Sequence, residues 1–299
     1  MRVLITGGTG FIGRALCASL TQEGCQLTVL SRNPGGVESK CGAGVAAIRD
    51  LNEWTPEVAF DAVINLAGEP IMASRWTAAR KQVLWDSRVT LTEQLVQAME
   101  RAQTKPSVFI SGSAAGIYGD QGDTELDETC NGHDGFAHAL CAGWEQAALQ
   151  AERLGVRVCL LRTGLVIGKN GGFLEKMLWP FKLGLGGRMG SGKQWMSWVH
   201  RADHVALTQF LLNSDRCRGA FNITAPHPVT NAEFTECLAR LMKRPALLPI
   251  PTSVLRLGAG EMAELLLGGQ RVLPKRAQAA GFRFRFETLE PALDSVLVH

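Results

Sequence analysis

The chain has 299 residues, which is enough to bury a large core in one two-lobed globule or in two closely packed domains. Hydrophobic residues make up 46% and charged residues 20%, which is ordinary for a soluble globular protein. A net charge of +3 is too small to indicate a nucleic-acid surface, and no window offers the roughly 18 apolar residues of a membrane span. We therefore expect neither a nucleic-acid partner nor a membrane segment.

The N-terminus and the cysteines predict a cytoplasmic location. The first apolar run, residues 3–5, is too short for a signal-peptide core. The eight cysteines include no CxxC pair and are scattered among apolar runs, so reduced thiols are expected rather than disulfides.

Short apolar runs alternate with segments of helical periodicity over the first half of the chain. They predict strands at residues 3–6, 27–30, 45–48, 62–66, 107–111 and 157–162, and helices at 11–23, within 78–101 and at 139–153. This alternation predicts an α/β fold with a Rossmann-like, doubly wound parallel sheet, covered by helices on both faces.

The composition changes after Gly164. Residues 168–192 are rich in glycine and predict a long loop around one helix at 173–183, and a strand at 219–223 and a helix at 231–242 follow. Residues 268–276 predict a basic loop, and the alternating FRFRF at 282–286 predicts a strand with its phenylalanines on one face. We predict a Rossmann domain at 1–168, completed by about 196–225, and a smaller C-terminal α/β domain of residues 169–195 and 226–299.

A glycine-rich loop, TGGTGFIG, joins the first predicted strand to the first helix. Gly7 permits a tight turn, Gly10 lets the backbone approach a pyrophosphate, and Gly13 allows close helix packing. Free N–H groups and the dipole at the helix N-terminus favour an anion there. The loop therefore predicts a dinucleotide site, formed by Gly7, Thr9, Gly10, Phe11, Ile12 and Gly13.

The end of the second predicted strand indicates which dinucleotide binds. An NAD enzyme places Asp or Glu there for the ribose hydroxyls, but here Leu30 is followed by Ser31 and Arg32. A guanidinium binds a 2′-phosphate bidentately, so we predict NADP(H). The alternative is that Arg32 is a solvated surface charge.

Several motifs carry a family resemblance. TGGTGFIG (6–13), NLAG (65–68), SGSAAGIYG (111–119) and LRTG (161–164) resemble the extended short-chain dehydrogenase/reductase superfamily. More narrowly, NLAGEPI, residues 171–200, TNAEF (230–234) and GGQRVLPKR (268–276) resemble an atypical, epimerase-family subfamily, NAD-dependent epimerase/dehydratase-like, nearly end to end. The resemblance implies bound NADP(H) and a substrate cleft between the lobes, and it names no substrate.

The resemblance also implies further cofactor contacts. Asp50 and Leu51 would touch the adenine. Asn65, Leu66, Ala67 and Gly68 would line the ribose and pyrophosphate, and Arg162 and Thr163 would border the nicotinamide. Asn65 could instead tie two strand ends together.

The superfamily's Tyr-x3-Lys pair is missing. In the superfamily the tyrosine is the general acid/base, and the lysine lowers its pKa and holds the ribose. The chain contains one tyrosine, Tyr118, and Gly122 stands four residues later, so the pair cannot form. By resemblance, Ala137 takes the tyrosine place and Cys141 the lysine place.

Four residues are candidates for the missing chemistry. Ser113 falls at the superfamily's catalytic serine or threonine. His138 and Cys141 would share a helix face and could supply a proton or a nucleophile, and Tyr118 is a second candidate acid. Each has a structural alternative as a packed or inert side chain. The spacing of Cys130, His133, His138 and Cys141 could bind zinc, but it runs from a loop into a helix, and we predict no metal.

The glycine-rich loop at 184–200 predicts contacts to a small-molecule substrate, phosphorylated or nucleotide-linked. Cations and flat rings suit such a ligand, and the candidates are Arg188, Lys193, Gln194, Trp195 and Trp198, of which the tryptophans could be core. Two functions then compete: an NADP-dependent oxidoreductase or epimerase, and a non-catalytic NADP(H)-binding redox sensor. The sequence leaves monomer and dimer open.

Overall fold

The computed structural model describes residues 1–246 and 248–297. The strands of the described chain are β1 (Arg2–Thr6), β2 (Gln26–Leu30), β3 (Ala46–Ile48), β4 (Ala62–Asn65), β5 (Val108–Ala114), β6 (Glu125–Leu126), β7 (Arg157–Thr163), β8 (Leu165–Ile167), β9 (Trp195–Met196), β10 (Trp198–His200), β11 (Gly219–Ile223), β12 (Val229–Thr230) and β13 (Arg271–Val272). The helices are α1 (Phe11–Gln22), α2 (Val37–Cys41), α3 (Ala78–Trp85), α4 (Leu91–Arg101), α5 (Phe136–Leu149), α6 (Gly172–Lys182), α7 (Arg201–Asn213), α8 (Asn231–Met242), α9 (Thr252–Ala259), α10 (Glu264–Leu267), α11 (Lys275–Ala279) and α12 (Leu289–Asp294).

Seven parallel strands form the central sheet, in the order β11-β7-β5-β4-β1-β2-β3. The chain leaves β1 towards β3 on one side and crosses back to β4 on the other, so the strand order reverses next to β1. In open α/β sheets, ligands bind at such a reversal, outside the carboxyl ends of the strands. The architecture confirms the predicted Rossmann-like, doubly wound fold.

Helices cover both faces of this sheet, because successive strand residues point to opposite sides. Val3 and Ile5 pack into one core together with α1 and α7, whereas Leu4 packs into the other together with α4. The near-continuous apolar strands thereby bury both faces. No helix of the described residues is long and apolar enough to cross a membrane.

The second half of the chain has its own cluster of buried residues. Trp198 and Phe234 lie at its centre, and α6, α8 and α12 pack around them. Helix α8 spans the predicted residues because Thr230 and Glu233 form a capping box at its start.

Two expectations for this half were wrong. The FRFRF segment forms no strand; its phenylalanines point inward, but the backbone N–H groups of Arg285 and Phe286 donate to the Asp203 carboxylate at 2.8 and 2.9 Å. The predicted loop at 184–200 ends in β9 and β10, which pair with β12 and β8.

Candidate functional site

A cavity of about 950 Å³ opens at the carboxyl ends of β1, β2 and β4, where the strand order reverses. The glycine loop between β1 and α1 forms one wall, and the segment after β4 forms another. The predicted cofactor residues that line it are Gly7, Thr9, Gly10, Ser31, Arg32, Asp50, Leu51, Leu66, Ala67 and Gly68. The volume and position suit a dinucleotide.

Two glycines fix the path of the loop. Gly7 has a φ of 69°, and a Cβ there would lie 2.5 Å from the Leu66 carbonyl oxygen. A Cβ on Gly13 would lie 2.2 Å from the Gly7 carbonyl oxygen. Because both obstacles are backbone, only glycine lets β1, the loop and α1 approach this closely. The loop then delivers Gly10 as the N-cap of α1, with the free N–H groups of the first turn beyond it.

Arg32 lies at the rim of the cavity. Its side chain is 93% exposed, and its Nη2 lies 3.1 Å from Glu69 Oε1, across the opening from β2 to the segment after β4. Lys40 and Arg49, which are not among the predicted cofactor residues, line the same cavity. Neither forms an ion pair with a carboxylate of the described residues. Three cations at this end fit a 2′-phosphate.

Several predicted cofactor residues do not line this cavity. They are Phe11, Ile12, Gly13, Asn65, Arg162 and Thr163. Asn65 is fully buried; its Oδ1 accepts from the Thr6 hydroxyl at 2.5 Å and its Nδ2 donates to Thr92 Oγ1 at 2.8 Å. These bonds tie β1, β4 and α4 together, which favours the structural alternative for Asn65.

Phe11 has a packing role. Gly168 and Gly171 lie so close to its ring that a Cβ on either would fall within 2.9 Å of it. The Arg201 guanidinium lies 4.7 Å from the ring centroid. The ring thus holds the start of α1 against the loop before α6.

Beyond the cavity, a buried polar cluster links β5, α5 and β7. Ser113 Oγ donates to Glu145 Oε1 at 2.6 Å. Arg162 binds the same carboxylate with two nitrogens, at 2.8 and 2.9 Å. Burial opposes the charge of Arg162, but its bonds to Glu145 raise its pKa overall. Ser113 is therefore held at the end of β5 by a fixed carboxylate, which sequence reasoning missed.

Tyr118 lies in the interior, which favours its structural alternative as a packed side chain. Its ring is fully buried, and its hydroxyl donates to Asn222 Oδ1 at 2.7 Å and accepts from Arg162 at 3.0 Å. Burial raises the pKa of Tyr118 to about 12, partly offset by Arg162. The side chain ties β7 and β11 to the segment after β5.

Cys141 is buried as well. Burial, followed by the charge of Glu145, raises the pKa of its thiol to about 12, although Arg88 and Arg162 lower it. A buried thiol with a raised pKa is a poor nucleophile at neutral pH, which favours the structural alternative for Cys141. Ala137, at the tyrosine place, packs on Gly116, where a Cβ would lie 3.4 Å away.

His138 faces the same segment. Its Nδ1 lies at hydrogen-bonding distance from the Ile117 carbonyl oxygen, so Nδ1 carries the proton when the ring is neutral. This leaves Nε2 as an acceptor and fixes the ring at the start of α5. Among the described residues, no group of three or more His, Cys, Asp or Glu side chains could hold a metal ion.

The predicted substrate residues do not line the dinucleotide cavity. Trp198 is fully buried and donates to the His227 carbonyl oxygen, which favours the alternative that it is a core residue. Trp195 donates to Asp123 at 2.8 Å, and Arg271 stacks on its ring. Gln194 donates to the carbonyls of Met189 and Leu266. Only Arg188 and Lys193 are exposed among the five.

The missed residues left faint signals in the sequence. Lys40 and Arg49 flank the third predicted strand, whose carboxyl end must lie beside that of the second. Glu145 stands one helical turn after Cys141, on the face that meets the sheet. Of these residues, Arg49 directly follows a predicted strand and could have been found by following each strand to its end.

Comparisons with known proteins agree with this geometry. Residues 3–224 match the NAD dependent epimerase/dehydratase family, and residues 250–296 match a domain of unknown function. An epimerase family protein of Mycobacterium bovis is 39% identical over 302 residues, which cover 97% of this chain and 96% of that protein.

Solved structures show the same likeness. The crystal structure of the human epimerase family protein SDR39U1 with NADPH has a TM-score of 0.89 and 33% identity, over 99% of each chain. A UDP-glucuronic acid 4-epimerase from Bacillus cereus, in complex with UDP-glucuronic acid and NAD, has a TM-score of 0.79 at 16% identity, covering 98% of this chain and 97% of that one; at this identity it shows the fold alone. The chain therefore belongs to the NAD dependent epimerase/dehydratase family.

Proposed function

We propose that this protein binds NADP(H) and acts as an oxidoreductase or epimerase on a small-molecule substrate. The observation that carries the proposal is the cavity at the reversal of strand order, with the glycine loop at one wall and Arg32, Lys40 and Arg49 at one end. The NADPH bound to the human relative supports it. A carboxylate at the end of β2 would repel a 2′-phosphate, and none stands there.

Each part of the cavity wall would bind a different part of NADP(H). The first turn of α1 would hold the pyrophosphate through free N–H groups, because the helix dipole favours anions there. Asp50 and Leu51 would border the adenine. Arg32, with Lys40 and Arg49 beside it, would hold the 2′-phosphate by charge-assisted hydrogen bonds.

When bound, the nicotinamide supplies or accepts a hydride at its C4. Ser113 would hold the substrate oxygen. Its proton points to Glu145, so the free lone pairs of Oγ suit a hydroxyl donor. A substrate hydroxyl would pass its proton to Ser113 Oγ while Ser113 releases its own to Glu145, and the reverse would protonate a carbonyl oxygen. Arg162 keeps the carboxylate in place.

A non-catalytic NADP(H) sensor is the second candidate function. It is favoured by the packing of α5 on the segment after β5, where Ala137 and Cys141 contact Gly116 instead of supplying an acid. The candidate substrate residues bear on the class of ligand and do not separate the two functions. Arg188 and Lys193 are exposed cations that suit a phosphorylated or nucleotide-linked ligand.

A substrate screen separates the two functions. NADPH-loaded protein is mixed with a panel of carbonyl compounds and nucleotide sugars, and oxidation of NADPH or epimerised product is measured. We expect turnover that Ser113→Ala lowers about 100-fold, the usual size of an acid–base contribution, with the Kd for NADPH unchanged. Ser19→Ala on α1, away from the cavity, is the control. Protein that binds NADPH tightly and turns over nothing in the panel would favour the sensor.

A further inference from the structure

A turn of π-helix separates α3 from α4, at Asp86–Thr90. Such turns insert an extra residue, re-aim side chains and occur frequently at functional sites. Here the turn lies against the dinucleotide cavity, since Asp86 and Ser87 line it. The next residue, Arg88, points towards Gly68, and a Cβ built on Gly68 would lie 2.9 Å from its Cζ. Its guanidinium therefore lies directly behind the cavity wall.

The partners of Arg88 are all neutral. It donates to the Glu69 carbonyl oxygen at 3.0 Å, to Ser87 Oγ at 3.3 Å and, weakly, to the Leu84 carbonyl oxygen at 3.5 Å. None of the ion pairs of the described residues involves it. Burial lowers the pKa of Arg88, yet a guanidinium keeps its charge. A half-buried cation without a carboxylate partner is costly and favours an anionic or polyhydroxyl ligand.

The surroundings define which part of a ligand this would be. The Arg88 guanidinium lies 5.4 Å from the centroid of the Trp144 ring, and that ring packs on Gly112 in β5, next to Ser113. Arg88 thus lies between the segment after β4 and the end of β5. In a doubly wound fold the cofactor runs from the adenine at β2 and β3, across the loop after β1, towards β4 and β5.

The position of Cys141 relates Arg88 to the missing Tyr-x3-Lys pair. Cys141 stands three residues before Trp144 on the buried face of α5, at the place where the superfamily has its lysine, and the Arg88 guanidinium packs against the Trp144 ring. A cation is therefore present beside the lysine place, although it comes from another helix. We propose that Arg88 holds the nicotinamide ribose and the adjacent phosphate of NADP(H), in the role that the lysine of the missing pair has elsewhere.

The inference rests on the NADP(H) binding of the proposed function, but not on any turnover. Two ligands separate the halves of the cofactor: NADPH, and adenosine 2′,5′-bisphosphate, which has the adenine and the 2′-phosphate but lacks the nicotinamide ribose. Affinities are measured by calorimetry at fixed ionic strength. Wild-type protein that binds neither ligand contradicts the proposed function itself.

For Arg88→Ala we expect the Kd for NADPH to rise about 10- to 100-fold, which corresponds to about 1.4 to 2.8 kcal/mol. The Kd for adenosine 2′,5′-bisphosphate should stay within about 2-fold. Arg88→Lys keeps the charge and should recover most of the NADPH affinity. Arg75→Ala is the matched control, because Arg75 also donates to two backbone carbonyls, but to those of Leu257 and Gly258 instead of to the cavity wall at Glu69; it should bind both ligands normally.

Three results would overturn the assignment. Equal losses for both ligands would mean that Arg88 only holds the loop at Gly68 and Glu69. An unchanged Kd for NADPH would mean that the guanidinium does not reach the cofactor. Arg88→Lys binding NADPH as weakly as Arg88→Ala would mean that charge is not what the site needs. Thermal unfolding of each variant, with adenosine 2′,5′-bisphosphate binding as a test of a native cavity, excludes misfolding as the cause.

Discussion

At the scale of single residues, Arg32 combines high exposure with a selective role in our proposal. Its ion pair with Glu69 joins side chains that are 93% and 24% exposed, and such pairs contribute little because water screens them. A 2′-phosphate carries up to two charges and offers a planar guanidinium two oxygens. Arg32 would therefore exchange Glu69 for the phosphate at small cost.

For Arg32→Ala we expect the Kd for NADPH to rise about 10-fold, because one charge-assisted contact to the phosphate is lost. The Kd for NADH should not change, since NADH has a hydroxyl there. Fluorescence titration of both nucleotides at one salt concentration measures this. Arg283→Ala, an exposed arginine of the tail, is the control for net charge. Equal affinity for the two nucleotides, unaltered in Arg32→Ala, would remove the choice of NADP(H).

At the scale of elements, the strands and helices that could be predicted are those with a signal in their own stretch of sequence. The strands and α1 followed from apolar runs and the glycine loop, and α8 followed from the capping box at Thr230 and Glu233. The FRFRF segment has strand periodicity but no neighbouring strand to pair with, so its backbone bonds went to a side chain instead. The π-helical turn at Asp86–Thr90 left no sequence signal, because periodicity cannot locate one extra residue.

The candidate site also has one part that local sequence signals predict and another part that they do not. Its glycine loop is local and was predictable, whereas its polar partners come from distant segments. Glu145 meets Ser113 across 32 residues, and Arg88 meets Gly68 across a loop and a helix. Burial favours the structural alternative for two candidates, Tyr118 and Trp198, which lie fully inside. A sequence without an alignment cannot distinguish such core side chains from functional ones.

Asp203 is the residue that docks the FRFRF segment. Its side chain is buried, and both carboxylate oxygens accept from backbone N–H groups of the tail. For Asp203→Ala we expect the free energy of unfolding to fall by about 2 to 4 kcal/mol, because two part-buried donors lose their partner. Urea unfolding measures this. Asp215→Ala, an exposed aspartate after the same helix, should change it by less than about 0.5 kcal/mol; a similar loss in both variants would contradict the docking role.

At the scale of the whole molecule, the C-terminal segments are tied to the large sheet through part-buried polar groups. Glu128 accepts from the backbone N–H groups of Asn222 in β11 and Arg276 in α11. Arg276 donates in turn to the carbonyls of Arg218 and Ala220. The basic loop at 268–276 is therefore part of the packing between segments, since Arg276 binds the chain itself.

Buried histidines make the stability of the folded protein depend on pH. His204 in α7 is fully buried, with Nε2 3.2 Å from the Thr163 hydroxyl, and burial lowers its pKa from 6.5 to about 4. Between these two values the unfolded chain binds a proton that the folded chain does not. Stability must therefore fall as the pH falls from 6.5 towards 4. Burial, helped by Arg201 and Arg285, also lowers the pKa of His200 to about 4, and water screens that partly open site.

From pH 7 to pH 5 we expect His204 alone to remove on the order of 2 kcal/mol from the free energy of unfolding. Urea unfolding at the two pH values measures the loss in wild-type protein, and His204→Gln should reduce it by that amount. His133→Gln, which changes an exposed loop histidine, should keep the wild-type loss. If His204→Gln is too unstable to unfold reversibly, the imidazole is titrated by NMR in wild-type protein. An NMR pKa near 6.5, or equal pH dependence in the two variants, would show that His204 is not held neutral by the fold.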